Sequence, residues 1–263
     1  MSYTAKDVQK LRQVTGVGMM DAKKALDATE GDFDAAVKHL RVQGLASAAK
    51  RAEREASEGA IAVVRDAQAA ALGELRCETD VVAKSEEFTA LVDEMAARVA
   101  SEGEGAIAEF QERIETLLTT LKENISVGRV VRLVAQEGEV INTYLHQQSE
   151  RGVNGVIVIV QGGDEELAHD ICVHAAFAKP AYLSRADVPE EEINRERQTV
   201  EEISRNEGKP EAALAKIIEG RLNSWFKDRV LLEQPYVKDE KQSVEQFVAP
   251  ATIRAFAQAY IGA

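Results

Sequence analysis

The chain has 263 residues, 45% of them apolar and 29% charged, with a net charge of −13; that is enough apolar material for two or three compact units. No run approaches the roughly 18 consecutive apolar residues of a membrane span, and Met1-Ser2-Tyr3-Thr4-Ala5-Lys6-Asp7 lacks the basic-then-apolar pattern of a leader, so a cytoplasmic protein without a membrane segment is expected. Cys77 and Cys172 stand far apart and in no Cys-x-x-Cys arrangement, so neither a disulfide framework nor a zinc site is suggested. The acidity is uneven: residues 1–58 hold 10 Lys/Arg and 9 Asp/Glu, the remainder 22 and 36. An acidic body repels phosphate backbones, so a protein partner is expected rather than nucleic acid.

Three short helical patterns open the chain. Val8, Leu11 and Val14 mark the first, closed by Gly16 and Gly18; Met19, Ala22, Ala25 and Leu26 mark the second, closed by Gly31. Asp32 caps a third, with Phe33, Ala36, Val37 and Leu40 on its apolar face and Gly44 as its stop. Residues 1–45 therefore read as a small three-helix module, and residues 46–58, rich in Ala, Lys, Arg and Glu, as a helical linker. From Gly59 the period becomes strand-like, with Ile61-Ala62-Val63-Val64 and Leu72-Gly73-Glu74-Leu75-Arg76-Cys77 flanking a turn. Thr79 and Asp80 are N-cap types, as is Ser85, so the hairpin runs into helix through a short exposed corner. A helix with Phe88, Leu91, Val92, Met95 and Val99 on its buried stripe follows, then one carrying Ile107, Phe110, Ile114, Leu117, Leu118 and Leu121.

Residues 127–135, 140–146 and 153–160 read as three strands of a second block, and residues 167–178 as a helix ended by Pro180. A helical hairpin follows over residues 190–206 and 210–232, broken at Gly208-Lys209-Pro210. Residues 252–261 suit a final strand. The fold class is α+β, with core subdomains at 59–126 and 127–263, the latter including the hairpin within 190–232.

Most residues with chemical potential have a plain reading. Gly16-Val17-Gly18 lacks the third glycine, the preceding strand and the lysine of a phosphate loop. The acid runs Glu190-Glu191-Glu192 and Glu201-Glu202 suit solvated helix faces. His169 and His174 would point roughly 140° apart on a regular helix, so they do not form a metal pair. Tyr144 and His146 share one face near a strand end, as a surface pair or a partner contact. No serine or cysteine has a nucleophile's setting, and no convergent titratable pocket can be assembled. No enzyme activity, cofactor, metal or small-molecule substrate is expected.

Three segments resemble the elongation factor Ts family: residues 11–26, Leu-Arg-Gln-Val-Thr-Gly-Val-Gly-Met-Met-Asp-Ala-Lys-Lys-Ala-Leu; residues 77–84, Cys-Glu-Thr-Asp-Val-Val-Ala-Lys; and Glu219-Gly220-Arg221 with Leu231-Leu232-Glu233-Gln234-Pro235. They lie in the family's order, and Gly31-Asp32, His174 and Gly208-Lys209-Pro210 fit between them. The resemblance implies a non-enzymatic guanine-nucleotide exchange factor acting on elongation factor Tu in its GDP-bound and nucleotide-free states. It implies that Arg12, Thr15, Gly16, Gly18, Met19 and Met20 dock on the partner's nucleotide-binding domain. The corner Thr79, Asp80, Val81 and Val82 would disturb the partner's magnesium site, with Tyr144 and His146 as a contact on the phosphate side and the C-terminal helices holding another domain. The family pattern usually has phenylalanine at the position of Val81, and residues 254–260 depart from its usual last strand. The first module also resembles ubiquitin-associated three-helix domains, Gly18-Met19 being similar to their first loop; a binding adaptor without exchange activity is the alternative.

Overall fold

The computed structural model describes residues 3–262. Its first unit is a bundle of α1 (Ala5–Thr15), α2 (Met19–Ala28) and α3 (Phe33–Arg51). The N–H and hydroxyl of Thr4 both reach the Asp7 carboxylate at 2.7 Å, which satisfies the start of α1. Gly16, at φ 68°, closes it in the left-handed conformation that glycine adopts without a steric penalty. Leu11, Ala22, Ala25, Leu26, Ala36 and Leu40 form the small core. Val14 and Met19, assigned by helical spacing to buried faces, are instead 62% and 46% exposed. Both flank the Gly16–Gly18 turn, in the last turn of α1 and the first of α2, so they stand at the rim of the bundle rather than in its centre.

Gly44 does not stop the third helix, which continues to Arg51. The body then follows as β1 (Glu58–Arg65), β2 (Ala69–Cys77), α4 (Asp80–Ala83), α5 (Glu86–Glu102), a 3₁₀ segment at Glu104–Phe110, α6 (Gln111–Thr120) and β3 (Ser126–Val134). A Cβ on Gly44 would lie 2.2 Å from Thr119 Cγ2, so the glycine serves close packing of α3 on α6, not a helix end. Arg41 pairs with Glu112 and Glu115 across the same seam, at 2.9 and 3.2 Å.

The rest comprises β4 (Glu139–Gln148), β5 (Arg151–Gln161), α7 (Glu165–Ala178), α8 (Glu190–Asn206), α9 (Glu211–Arg229), β6 (Pro235–Tyr236), β7 (Asp239–Ser243), α10 (Val244–Val248) and β8 (Thr252–Tyr260). Two antiparallel sheets form, ordered β1-β2-β3 and β4-β5-β8, with a small β6-β7 ladder. The strand grouping read from the sequence is thereby corrected: β3 pairs with β2, Leu72 opposite Val131, and the tail strand β8 takes the place beside β5, Phe256 opposite Val158. Alternation identifies a strand but not its neighbour. The four residues between β3 and β4 carry the chain from one sheet to the other instead of closing a hairpin.

The sheets stack face to face over Ile61, Ala70, Leu72, Ile141, Ile157 and Ile159. On the outer side of the first, Leu75, Phe88, Leu91, Val92 and Met95 pack under α5; on the outer side of the second, Val156, Val158 and Val160 meet Ala168, Ile171 and Ala175 of α7. The order is helix, sheet, sheet, helix, with successive β5 residues alternating between the two interfaces. His174 of α7 is fully buried: its Nδ1 accepts from the Val237 N–H at 3.2 Å, so Nε2 carries the proton and donates to Gln234 Oε1 at 3.1 Å.

A Cβ on Gly152 would meet the Ile61 carbonyl oxygen at 2.1 Å. Backbone cannot give way as a side-chain end can, so Gly152→Ala should cost about 1–3 kcal/mol, read as a lowered urea midpoint with an unchanged slope. A second test concerns pH. Burial lowers the His174 pKa against the opposing effect of its hydrogen bond to Gln234. Below the unfolded value of about 6.5 the unfolded chain then binds a proton that the folded chain refuses, so stability falls as pH drops through that point. Between pH 6.5 and 5 the unfolding free energy of His174→Asn should vary less steeply with pH than that of the wild type.

Candidate partner interface

The corner expected at Thr79–Val82 is a single helical turn at the end of β2. Thr79, with extended backbone, caps α4: its Oγ1 accepts from the Val82 N–H at 3.4 Å. The Ser85 hydroxyl donates to the Val82 carbonyl at 2.8 Å and closes the turn from the other side. Val82 is buried and packs in the core that contains Phe88 and Leu91. Asp80 and Val81 face water, and Val81 is 74% exposed, nearly as much as any large apolar residue among those described. Lys84 lies 2.6 Å from the Asp80 carboxylate, and its hydrogen bond and charge hold that group below its ordinary pKa. The corner thus presents one anionic and one apolar group from a backbone fixed by a buried neighbour.

A clamp absent from the sequence reading holds this turn. One oxygen of the Glu123 carboxylate accepts from the N–H groups of Glu78 and Thr79, both at 3.0 Å, and the other accepts from the Thr79 hydroxyl. The Asn124 N–H donates to Glu78 at 2.7 Å, and its side-chain amide donates to the Arg54 carbonyl at 2.7 Å. Lys122, at φ 60°, reaches Asp21 of α2 at 2.9 Å. The segment after α6 carries no motif, and its partners are more than 40 positions away, so periodicity had no means of finding it.

The structure therefore brings Met19 and Met20, next to Asp21, and Asp80 and Val81, next to Thr79, to the two sides of one short segment. Met20 is 62% exposed, and Arg12 and Gly18 are also at the surface. Two expected contact residues, half-buried Thr15 and exposed Gly16, also make contacts within the chain. The Thr15 hydroxyl donates to the Leu11 carbonyl at 2.6 Å, and a Cβ on Gly16 would lie 2.8 Å from Thr120 Cγ2, so this glycine also admits α6.

Tyr144 and His146 share a face of the edge strand β4, as alternation requires, Tyr144 half-buried and His146 exposed. They border a cleft of 660 Å³ with Glu58, Arg151, Phe177 and Lys179. Phe177, in the last turn of α7, is 75% exposed and was not singled out from the sequence; an apolar residue outside the helix's buried positions was the available signal. The Arg151 guanidinium donates to the Gly59 carbonyl at 2.6 Å and to Glu58 at 2.7 Å. Because Glu58 pairs with Cys77 at the base of the corner, the cleft and the corner lie at the same end of the stacked sheets. Among the described residues no group of three or more His, Cys, Asp or Glu is placed to hold a metal ion, and no helix is long and apolar enough to cross a membrane.

Comparison with known proteins adds the decisive observation. The profile of the family described as Elongation factor TS matches residues 78–263. Elongation factor Ts of Kineococcus radiotolerans is 42% identical, covering 100% of this chain and 99% of its own length. Those of Clavibacter michiganensis and Mycobacterium ulcerans are 44% and 43% identical, covering at least 99% of this chain and 98% of their own. This chain belongs to the elongation factor Ts family. The family match begins at Glu78, at the clamped corner, and the relatives' similarity extends through the three-helix bundle as well.

Cys77, fully buried under the corner, has its thiol pushed up to about 12 by burial, and burial raises Cys172 too. Neither forms appreciable thiolate at neutral pH. Both should resist an aromatic disulfide reagent at pH 8 in the folded chain, and both should react within minutes in denaturant.

Proposed function

We propose that this chain is the guanine-nucleotide exchange factor for elongation factor Tu, working without covalent chemistry. Membership of the elongation factor Ts family supports the role, and one structural observation supports the mechanism: an exposed Asp80–Val81 pair on a turn that the core and the Glu123 clamp both immobilise. The module docks on the GDP-bound partner through Arg12, Thr15, Gly16, Gly18, Met19 and Met20. The corner Thr79, Asp80, Val81 and Val82 then disturbs the magnesium site, while Tyr144 and His146 contact the phosphate side. Release of GDP follows if the chain binds the nucleotide-free partner more tightly than the GDP-bound one, since an exchange factor can shift the equilibrium only by that difference. A stiff turn serves this end: a flexible one would adapt to the closed site instead of opposing it.

Stopped-flow release of a fluorescent GDP analogue tests the reading. Substoichiometric amounts of the chain should accelerate release from elongation factor Tu; a rate equal to the spontaneous one removes the proposal. Met20→Ala should raise the concentration needed for half-maximal acceleration, and Asp80→Ala should lower the maximal rate. Val81→Phe adds apolar surface worth on the order of 1 kcal/mol at about 25 cal/mol per Å². Expressed at the barrier, this should speed exchange several-fold. A slower Val81→Phe variant would show that the partner's pocket is matched to valine.

A further inference from the structure

The segment Lys122-Glu123-Asn124 touches three parts of the molecule that are far apart in sequence, and the contacts of Glu123 and Asn124 hold backbone groups in place. Residues 78 and 79 lie between the end of β2 and the start of α4, where backbone N–H groups have no ladder or helical partner. Glu123 supplies one acceptor for both, its Oε2 lying 3.0 Å from each nitrogen. Its other oxygen accepts a hydrogen bond from the Thr79 hydroxyl, which has only one proton to donate. That leaves a Thr79 lone pair for the Val82 N–H, so the cap of α4 is oriented by Glu123 rather than by Thr79 alone. On either side of Glu123, Lys122 grips Asp21 beside Met19 and Met20, and Asn124 ties Glu78 to the carbonyl of Arg54, just past the end of α3.

We propose that Glu123 is the positioning residue of the exchange corner, and that the segment 122–124 sets the placement of Asp80 and Val81 relative to the docking residues Met19 and Met20. The inference deepens the exchange reading and rests on it for its kinetic consequence, but not for its structural one. Glu123 acts through Thr79 and the backbone of residues 78–82 and needs no contact with the partner. Glu123→Ala removes both acceptors; Glu123→Gln keeps the length and one acceptor oxygen, and is the milder variant if alanine disturbs folding.

Amide hydrogen exchange of the full chain alone reads the structural part. A peptide covering residues 78–84 should exchange at least tenfold faster in Glu123→Ala and to an intermediate degree in Glu123→Gln, while peptides from α5 and α7 stay as in the wild type. Stopped-flow GDP release then reads the kinetic part: the maximal rate should fall several-fold, with the half-saturating concentration within twofold of the wild type. Thr79→Val should lower the maximal rate as well, and the double variant should be no slower than the slower single one, because both changes break one unit. Thr79→Ser, which keeps the hydroxyl, should restore most of the rate. Unchanged protection of residues 78–84 in Glu123→Ala, or additive losses in the double variant, would overturn the proposal. So would a loss confined to the half-saturating concentration. If the wild type itself does not accelerate GDP release, the exchange reading fails while the protection experiment still decides the clamp.

Discussion

Strand β5 is buried on both faces, and this two-sided burial governs where everything else lies. Val156, Val158 and Val160 meet α7, while Ile157 and Ile159 meet the first sheet. A slip of one residue would exchange the two sets, so the register of β5 against β4 and β8 is tightly specified. Side chains at every position would hold the sheets too far apart at one end. Gly152 and Gly155 remove that obstacle: a Cβ on the first would strike the Ile61 carbonyl, and one on the second the branched ends of Val63 and Ile61. With the sheets so closely apposed, Arg151 can reach the Gly59 carbonyl and Glu58. The end of β4 carrying Tyr144 and His146 is thereby joined to the end of β1, which pairs with the base of the corner. Two candidate contact regions about 65 positions apart are thus set at one end of a rigid stack.

How much of this could be read from the sequence follows from the range of the forces involved. Local signals worked well. Glycine at φ 68° closes α1, Thr79 caps α4, Pro210 opens α9, and residues 190–206 form α8 as expected. The expected tail strand also forms, paired with β5 from Asn154 to Gln161 with one shift of register between Ile159 and Val160. Readings that needed knowledge of a distant neighbour went astray. Gly44 looks like a helix stop in sequence and is a contact point for Thr119 in space. β3 is rich in β-branched residues and reads as a strand by itself, and only the packing decides that β2 is its partner. The short β6-β7 ladder and α10 have too few residues for a period to register. At the candidate site, Asp80 was legible as a cap type at an exposed corner and Val81 only through the family resemblance, whereas Glu123, Asn124 and Phe177 were not legible at all.

Exposed apolar residues have to be weighed against this economy of packing. Val14, Met19, Met20, Val81 and Phe177 are all between 46% and 75% exposed, in a chain that buries most of its other large apolar groups. Scattered exposed apolar residues are ordinary. Here, however, Met19, Met20 and Val81 border one segment, and Phe177 borders the cleft of Tyr144 and His146. Methionine suits such a surface because its flexible thioether adapts to a partner, whereas Val81 is stiff at χ1 and sits on a clamped turn. In the exchange reading proposed above, the two kinds of residue would divide the work of recognition: adaptable contact on the module and fixed shape at the corner.

That division carries a mechanical requirement. A module that only adds affinity can be attached loosely, whereas one that must place a wedge against a particular site has to be registered to it. The connection found between them is of the second kind. α3 is seated on α6 through Gly44 and Thr119, Arg41 bridges to Glu112 and Glu115, and the chain leaving α6 turns at Lys122 to grip Asp21 before Glu123 reaches the corner. Exposed ion pairs of this sort contribute little individually, so the seam between module and body is held by steric fit and by several weak polar contacts acting together. On the proposed reading, docking energy gathered at the module would reach the corner without being lost in reorientation, because α6 and the segment that follows it form one short, hydrogen-bonded path. Binding energy spent on holding an open partner is useful for exchange only when the two surfaces keep their relative position under load, and in the exchange reading proposed above residues 122–124 would supply that constraint.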